Sequence, residues 1–400
     1  MTGLSDHCVL AINTGSSSLK AALYRMSESE SLVLAVDVTR IGASGSRIRI
    51  TDAAGDTVFD RQDVMRDHDA ALQATFAWLE QHDSVRQVRG VGHRVVHGGE
   101  RFSDPQLITP ALMATLQDLA ALAPDHLPQA ISGIQFVTRS YPTLRQVACF
   151  DTAFHRGLPK RAQMYALPRH FYDEGLKRFG FHGLSYEYVT EALTRLDGAL
   201  ANGRLIVAHL GSGASIAAIR GGKSIDTTMG FTPASGLMMG TRCGDIDAEA
   251  LLYLIEERKM TPEAVNTLIN RQSGLLGVSD TSADMQELLD KEATDSRAAE
   301  AIGLFCYRAR KYLGAYAAAL GGLDILVFTG GIGEHASAIR ERICSGLGFL
   351  GISLDPARNR THAPVISADD SRVKVRVVNT NEELIIARHA VKVLSGSPEK

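Results

Sequence analysis

The amino-acid sequence predicts an α/β fold, and three observations support this prediction. Short apolar segments of strand length alternate along the 400 residues with longer segments of helical periodicity. Apolar residues make up 45% and charged residues 22% of the chain, which is the composition of an ordinary globular protein. The pattern at the start of the chain also returns near its middle.

The strands of the first half are predicted from apolar runs and turn residues. Residues 9–12 and 21–24 are apolar and flank the polar turn 13–20, which predicts two short strands. Residues 47–59 alternate around a Gly/Asp cluster, which predicts a hairpin. Residues 147–150 form a brief apolar strand that ends at Asp151.

The longer segments have helical periodicity and predict helices. In the second half of the chain, two further strands are predicted at residues 323–328 and 373–378. The pair Thr109-Pro110 is a helix start signal. The predicted helices cover residues 69–82, 111–123, 247–257, 299–320, 336–347 and 382–394.

The middle of the chain repeats its beginning. Residues 206–219 lie over residues 10–23 when the sequence is shifted by 196 positions, and Gly15 then meets Gly211. Both copies predict a strand, a Gly/Ser turn and a strand of small residues. The sequence therefore indicates a duplicated domain, each half of which opens with a β-hairpin.

Charge and cysteine content narrow the function classes. The net charge of −3 argues against a protein that neutralises nucleic acid. No window of about eighteen residues lacks charge, which excludes a membrane-spanning helix, and no secretory signal is visible at the N-terminus. Five scattered cysteines without a CxxC pair predict reduced thiols and a cytoplasmic location, not a disulfide framework.

Three glycine-rich segments are candidates for phosphate contacts. Residues 13–20 form a Gly/Ser turn that ends at Lys20, the only lysine in the first 159 residues. Residues 209–215 repeat this turn, and residues 329–335 form a loop between a strand and a helix start, where backbone N–H groups attract anions. A solvated hairpin turn is the alternative for the first segment. The chain has no GxxxxGK[S/T] sequence, so a Walker-type loop is excluded.

The third segment also fits a different ligand. Gly331, Gly333 and Ala336 match the GxGxxA fingerprint of dinucleotide-binding proteins. Asp355 stands at a spacing suited to a ribose ligand. An NAD-dependent oxidoreductase is therefore an alternative at this point.

Cationic residues beside glycines form another group. Arg94 follows His93 and precedes His97, and Arg242 lies in a Gly-rich loop. His182 lies between glycines in a segment that is too short and aromatic to predict a long helix. Bare backbone around these three cations favours an anion site, whereas a zincin site would need a glutamate where Arg94 stands.

Two acidic residues complete the candidates. Asp151 ends a strand and Glu382 begins a helix. Strand-end carboxylates of α/β proteins are suited to hold Mg²⁺ through water. For Glu382, an acid that interacts with the helix dipole is the alternative.

Together these segments resemble the acetate kinase family, within the superfamily of acetate and sugar kinases, heat-shock cognate proteins and actin. The resemblance covers nearly the whole chain. Nine motifs occur in order: LAINTGSSSLK, VGHRVVHGGE, FDTAFH, RFGFHGLSY, AHLGSGAS, MGFTPASGLMMGTRCGDID, SGLLGVSDTSADM, FTGGIGEH and TNEEL.

The resemblance implies duplicated actin-like (ribonuclease H-like) domains, each with a mixed sheet, facing across a cleft. Residues 1–151 plus 382–400 would form the N-terminal domain with its returning C-terminal helix. Residues 152–381 would form the C-terminal domain, which would bind the nucleotide and mediate dimerisation. A homodimer is expected because family members typically form one.

The resemblance also implies residue roles. Asn13 and Glu382 would attend Mg²⁺, with Mn²⁺ as an alternative ion, and Arg94 would bind the substrate carboxylate. The implied catalytic residues are Asp151, His182 and Arg242, and the implied ATP-binding residues are Lys20, His209, Leu210, Gly211, Ser212, Gly213, Asp284, Met285, Gln286, Gly331, Ile332, Gly333, Glu334 and His335. An acyl carboxylate is ionised at pH 7 and needs no general base, so we expect Asp151 to orient Mg²⁺ or a catalytic cation.

The implied activity is the reversible, ATP- and Mg²⁺-dependent phosphorylation of acetate to acetyl phosphate, by direct in-line transfer to the carboxylate. A kinase for propionate or another short-chain or hydroxylated acid is the alternative, because Asp125 replaces a leucine expected in the acyl pocket. Ser212, Gln286 and His335 also depart from the family pattern, so base preference and a pyrophosphate donor stay open. A nucleotide-binding switch without turnover is an alternative from another class.

Overall fold

The computed structural model describes residues 7–82, 84–122 and 127–396. Asp125, the departure expected in the acyl pocket, lies outside the described residues. The chain forms two compact units: unit 1 runs to Ala153 and resumes at Asn381, and unit 2 is Phe154–Thr380. Across the described residues, no helix has the length and apolar character needed to cross a membrane.

Both units combine strands and helices. The strands are β1 (His7–Thr14), β2 (Leu19–Met26), β3 (Ser31–Thr39), β4 (Ser46–Asp52), β5 (Thr57–Asp63), β6 (Val88–Val95), β7 (Gln106–Leu107), β8 (Arg145–Phe150), β9 (Arg204–Leu210), β10 (Ala214–Arg220), β11 (Lys223–Thr227), β12 (Ile325–Thr329) and β13 (Lys374–Val377). The helices are α1 (His68–Gln81), α2 (Pro110–Asp118), α3 (Leu127–Ser140), α4 (Lys160–Gln163), α5 (Arg169–Asp173), α6 (Gly183–Asp197), α7 (Ala248–Glu256), α8 (Pro262–Arg271), α9 (Gly274–Ser279), α10 (Met285–Lys291), α11 (Ser296–Leu320), α12 (Gly330–His335), α13 (Ser337–Cys344), α14 (Pro356–Arg360) and α15 (Glu382–Gly396).

Unit 1 contains an eight-stranded mixed sheet in the order β5-β4-β3-β2-β1-β6-β8-β7. Strands β1, β6 and β8 are parallel, whereas β1 to β5 pair antiparallel. The predicted turn joins β1 to β2, and Asn13 pairs with Lys20 across it. Because parallel strands end at the same edge, the sheet brings Asn13, Arg94 and Asp151 to one edge.

Different helices contact the two faces of this sheet. Leu10 of β1 joins a core cluster with Phe76 of α1. Helix α15 lies over β6, where a Cβ added to Gly92 would lie 2.5 Å from Cγ2 of Ile386. Arg94 stands two residues after Gly92 in the same strand, so its side chain points to the α15 side.

Unit 2 contains a five-stranded mixed sheet in the order β11-β10-β9-β12-β13. Strands β9, β12 and β13 are parallel, and β10 and β11 pair antiparallel. Tyr186, Val189 and Leu193 of α6 join a core cluster with β9 and β12, and α11 packs against β9 and β10. The repeat unit predicted at residues 206–219 is the β9–β10 hairpin.

The α/β class and the three predicted hairpins are confirmed: they are β1–β2, β4–β5 (the segment 47–59) and β9–β10. Two expectations were wrong. The segment at His182 does lead into a long helix, α6. His182 is its N-cap residue, in a left-handed backbone conformation (φ 59°), and Tyr186, Val189 and Leu193 bury one face of the helix in the core. Residues 330–335 are helical (α12) and not a loop. The sequence also did not predict β3, β6, α3 or α6.

Candidate active site

The β1–β2 turn exposes hydroxyl groups and one lysine. Its glycine, Gly15, donates its N–H to the carbonyl of Ser18 at 2.8 Å. A Cβ at Gly15 would lie 2.6 Å from Oγ of Ser18, so a larger residue here would require the serine side chain to rotate. Ser16, Ser17 and Lys20 are exposed and can donate to an anion.

Arg94 is anchored by two acceptors at the edge of the unit 1 sheet. Its Nε donates to Oδ2 of Asp151 at 3.0 Å, Nη2 donates to the same oxygen, and Nη1 donates to Oδ1 of Asn13 at 3.0 Å. Burial lowers the pKa of Arg94, but the charges of Asp151 and Glu382 outweigh burial, so its pKa lies above the ordinary value. The guanidinium is therefore a permanently charged, fixed group.

Glu382 lies beside this pair at the start of α15. Its Oε2 accepts from Nδ2 of Asn13 at 3.1 Å and lies 3.9 Å from Nε of Arg94. The same Nδ2 donates to Oε1 of Glu383 at 3.0 Å. Burial raises the pKa of Glu382 to about 7; Asp151 and Glu383 act in the same direction, and Arg94 opposes them. Three carboxylates thus surround one arginine, which favours an additional cation.

Asp151 retains one unused oxygen. Its Oδ1 is buried and accepts no hydrogen bond from the described residues. Mg²⁺ is commonly held by one or two carboxylates together with water and substrate phosphates. Asp151 and Glu382 fit this type of site, and Oδ1 of Asn13, a predicted ligand, accepts one hydrogen bond from Arg94 and keeps a second lone pair. No group of three or more His, Cys, Asp or Glu side chains that could hold a metal occurs within the described residues.

His182 lies in unit 2, immediately before α6. Its Nδ1 lies 2.9 Å from Oγ of Ser215 in β10. Its ring stacks on His209 of β9, with centroids 4.2 Å apart and an angle of 24° between the planes. Ser185 in turn lies 2.8 Å from Nδ1 of His209. The two imidazoles are therefore held in place by serines on both sides.

His182 and Arg242 converge on the backbone of Gly213. A Cβ added to Gly213 would lie 3.3 Å from Nε2 of His182 and 3.7 Å from Nη1 of Arg242. Arg242 donates from Nη1 to the carbonyl of Pro233 at 3.1 Å. The two nitrogens therefore lie close to each other beside a residue that has no side chain, and together they can donate to an oxygen of a phosphoryl group.

The loop that carries Arg242 depends on a glycine. Gly274 has a positive φ of 65°, and a Cβ there would lie 2.2 Å from the carbonyl oxygen of Met239 and 2.9 Å from that of Arg242. A side chain at this position would displace the loop. Gly274 therefore allows the close approach that positions Arg242.

Eight of the predicted ATP-binding residues line one cavity of about 240 Å³ in unit 2. Gly211 and Ser212 come from the β9–β10 turn, Asp284, Met285 and Gln286 from the start of α10, and Gly331, Ile332 and His335 from α12. Two polar side chains of this wall are already engaged, because Nε2 of Gln286 donates to Asp290 at 2.9 Å and Oδ1 of Asp284 accepts two N–H groups of α10. Much of the remaining lining consists of apolar side chains, among them Leu289 and Ile332, which suits an organic ring.

The other predicted ATP-binding residues of unit 2 do not line this cavity. Oε1 of Glu334 accepts the N–H of Gly330 at 2.8 Å and that of Thr380 at 3.1 Å, so this carboxylate supports the backbone. Gly333 also packs against the backbone of β9, because a Cβ on it would lie 3.6 Å from the carbonyl oxygen of Ala208. The residues in this group are His209, Leu210, Gly213, Gly333 and Glu334.

The residues expected for a dinucleotide site and for a zinc site have other partners in the structure. Asp355, the expected ribose ligand, caps α14 by accepting the N–H groups of Ala357 and Arg358 at 2.8 and 3.0 Å. His93 is buried and lies 2.8 Å from Oε1 of Gln146, and His97 accepts the N–H of Gly99. Neither a dinucleotide site at Asp355 nor a zinc site at the two histidines is supported.

No role for Arg340 or Tyr186 was predicted from the sequence, and Ser215 was included only as the last residue of the segment 209–215. Arg340 is fully buried, and its Nη1 donates to the carbonyls of Gly333 and Glu334 at 2.9 Å each, which fixes the end of α12. Burial lowers the pKa of Arg340 to about 10. Arginines are usually exposed, so no local pattern distinguishes this one. Tyr186, four residues after His182, could have been noticed only with α6 known.

The chain is similar to known proteins over nearly its whole length. The model of the acetokinase family matches residues 8–388. An acetate kinase of Rhodopseudomonas palustris (strain TIE-1) is 46% identical over 394 residues, which cover 97% of this chain and 98% of that protein. Two solved structures match 97% of this chain over 100% of their own length. An acetate kinase of Porphyromonas gingivalis has a TM-score of 0.85 and 39% identity. A propionate kinase of Francisella tularensis subsp. tularensis SCHU S4 has a TM-score of 0.90 and 35% identity. From this agreement in sequence and fold, the chain belongs to the acetokinase family.

Proposed function

We propose that the protein transfers the γ-phosphoryl group of ATP reversibly to the carboxylate of acetate. A bond forms between an acetate oxygen and the γ-phosphorus, the bond from that phosphorus to the bridging oxygen breaks, and ADP leaves with the electron pair. The observation that carries this proposal is the convergence of Nε2 of His182 and Nη1 of Arg242 above Gly213. Family membership and the acetate kinase of R. palustris also support it.

The chemistry explains why the site is rich in cations. Acetate is ionised at pH 7, so its oxygen attacks without first losing a proton. The barrier instead contains the repulsion between two anions and the charge that develops on the equatorial phosphoryl oxygens. Arg242 and His182 would stabilise that charge, and the exposed Lys20 would neutralise phosphate.

Arg94 would bind the acetate carboxylate. Within the described residues, three of its five N–H groups are used on Asp151 and Asn13. One N–H on each terminal nitrogen is left for a ligand, which suits a carboxylate. Asp151 would act through Arg94 by fixing the guanidinium, in agreement with the expectation that it orients a cation.

We propose Mg²⁺ as the cofactor, with Mn²⁺ as an alternative ion. Asp151 and Glu382 would hold it together with water and nucleotide phosphates, and Asn13 would contribute through Oδ1 while its amide group orients Glu382. When bound, the ion would neutralise phosphate charge during transfer.

Propionate is the second candidate acid. The specific support is the propionate kinase of F. tularensis, whose structure matches this chain with a TM-score of 0.90. One additional methylene changes binding in an apolar pocket by only about 1–3 kcal/mol, so a single pocket can accept both acids. We place acetate first because the relative from R. palustris is an acetate kinase.

A homodimer formed through unit 2 is also proposed. Helix α7 has the sequence AEALLYLIE, and none of its residues is buried. Leu252 and Tyr253 are 44% and 53% exposed, and Ile246 before the helix is also exposed. Such an apolar helix in water is typical of an association surface, and a second copy of this chain is the partner we propose.

One assay tests the activity. Purified protein is incubated with ATP, Mg²⁺ and a panel of short acids, and acyl phosphate is trapped as the hydroxamate. Acetate should give the highest kcat/KM and propionate the next highest. The same preparation of an Arg242→Ala variant controls for host kinases that copurify. Failure to form hydroxamate from every acid would contradict the proposed reaction.

A further inference from the structure

A chain of hydrogen bonds leads from the core of unit 2 to the ring of His182. The hydroxyl of Tyr186 lies 2.5 Å from Oγ of Ser215, and this Oγ lies 2.9 Å from Nδ1 of His182. Tyr186 and Ser215 are both fully buried. No step of the proposed reaction uses either residue directly.

The protons of this chain can be assigned by counting donors and acceptors. Ser215 has one hydroxyl proton and two neighbours, His182 and Tyr186. If Tyr186 donates to Ser215 and Ser215 donates to Nδ1, each hydroxyl proton has an acceptor. A buried donor without an acceptor costs about 1–3 kcal/mol, so a fully satisfied arrangement is strongly favoured.

The other arrangements leave a proton unpaired. If Nδ1 carried a proton and donated to Ser215, the serine proton would have to go to Tyr186. The phenol proton would then need another acceptor, and the described residues supply none besides Ser215. Burial raises the pKa of Tyr186, so the phenol keeps its proton and acts as a donor.

We propose that Tyr186 and Ser215 are positioning residues that hold His182 in the tautomer with its proton on Nε2. This nitrogen lies 3.3 Å from the position that a Cβ on Gly213 would take, beside Arg242. A neutral His182 thus presents a donor to a phosphoryl oxygen. The proposal rests on the catalytic role given to His182 above, and it adds how that role is fixed.

Steady-state kinetics test the positioning. Ser215→Ala removes the donor to Nδ1, and we expect kcat to fall roughly tenfold, the equivalent of one hydrogen bond, while KM for acetate and ATP changes less than about twofold. Tyr186→Phe keeps the serine donor but frees its orientation, so a smaller fall of about threefold is expected. Tyr188→Phe, on the same helix, is the matched control, because Tyr188 is only partly buried and takes no part in this chain of hydrogen bonds.

A spectroscopic readout separates positioning from general damage. ¹⁵N NMR of protein labelled at histidine, with the signals of His182 identified by their loss in His182→Gln, reports which ring nitrogen carries the proton. The wild-type spectrum above pH 8 should show a protonated Nε2 and a hydrogen-bonded, unprotonated Nδ1. A proton on Nδ1 would overturn the proposal, as would a Ser215→Ala variant with the kcat of Tyr188→Phe.

The same variants distinguish this proposal from the proposed function. If His182→Gln turned over at the wild-type rate, this would contradict the catalytic role of His182 and also the positioning role of Tyr186 and Ser215. If His182→Gln lost activity while Ser215→Ala kept it, the positioning role alone would fall. Loss in His182→Gln with partial loss in Ser215→Ala supports both.

Discussion

Arg94 and Asp151 form an ion pair in which two nitrogens of the guanidinium share one carboxylate oxygen, with Nε 3.0 Å from Oδ2. The Asp151 side chain is fully buried, whereas that of Arg94 is 17% exposed. The aspartate thus lies behind the arginine, and the arginine forms the accessible surface. This arrangement explains how Asp151 can orient the guanidinium while Arg94 contacts the substrate.

Asp151→Asn should lower kcat by roughly 10²-fold and raise KM for acetate, because an amide of the same shape leaves Arg94 with less compensation and a looser orientation. Steady-state kinetics with acetate as the varied substrate measure both effects. Asp60→Asn is the matched control, since Asp60 pairs with Arg47 at the surface of the same unit. Unchanged kinetics in Asp151→Asn would contradict the role we give to this pair.

Arg242→Ala should lower mainly kcat, whereas Arg94→Ala should raise mainly the KM for acetate. Arg242 faces the position of the transferred group, so its loss should reduce kcat by about 10³-fold. Arg94 should contribute mainly to binding, so its loss should raise KM for acetate. Near-normal turnover of Arg242→Ala, measured by hydroxamate formation, would remove Arg242 from the transfer step. Arg47→Ala, at an exposed pair in unit 1, controls for loss of a positive charge.

Gly213→Ala should reduce kcat by roughly 10- to 10²-fold, because the added methyl would lie 3.3 Å from Nε2 of His182 and 3.7 Å from Nη1 of Arg242 and would push the imidazole out of position. Gly213 does not have a positive φ, so the alanine introduces no backbone strain. Gly303→Ala is the control: it lies inside α11, and a Cβ added there would have no atom of the described residues within 4 Å apart from its own helix backbone and chain neighbours. Equal activities of the two variants would show that the close placement of His182 and Arg242 beside Gly213 is not needed for transfer.

The parts of this site that could be predicted from the sequence are those formed by residues close together in the chain. The β1–β2 and β9–β10 turns were predictable because turn residues act on their own backbone. The contact between Asn13 and Glu382 spans 369 positions, and only the packing of α15 on the sheet brings the two together. The long helix α6 was not predicted at His182, because its buried face is formed by Tyr186, Val189 and Leu193, which follow the glycine-rich segment. The contact of His182 with Ser215 spans 33 positions and depends on the packing of β10.

Leu252→Glu should weaken the proposed dimer, because it introduces a charge into the apolar surface of α7. Sedimentation equilibrium across protein concentrations gives the dissociation constant, and we expect it to rise at least about 100-fold. Val64→Glu is the matched control, since Val64 is 71% exposed but belongs to unit 1. A wild-type chain that sediments as a monomer at all concentrations would contradict the dimer.

Two buried histidines should make the protein acid-sensitive. Burial lowers the pKa of His93 and that of His155 to about 4, and hydrogen bonds with Gln146 and with the carbonyl of Phe181 oppose the shift only partly. In the unfolded chain each histidine titrates near 6.5. Between these pH values the unfolded state binds more protons, so the free energy of unfolding falls as pH falls. The contribution is fully present above about pH 6.5 and should lose roughly 2 kcal/mol per histidine between pH 7 and pH 5.

Urea unfolding of variants at pH 7 and pH 5 measures this effect. Glu382 acts in the opposite sense, because its raised pKa of about 7 makes the folded state bind the extra proton, so the wild-type slope is a difference of opposing contributions. His93→Gln retains Glu382 and should therefore isolate the histidine: it should be less stable than wild type at pH 7 but lose roughly 2 kcal/mol less on going to pH 5. His155→Gln should behave alike in unit 2, whereas His82→Gln, at an exposed position, should keep the wild-type difference. A wild-type pH dependence in both buried-site variants would contradict the assignment, because neither histidine would then be buried without its proton.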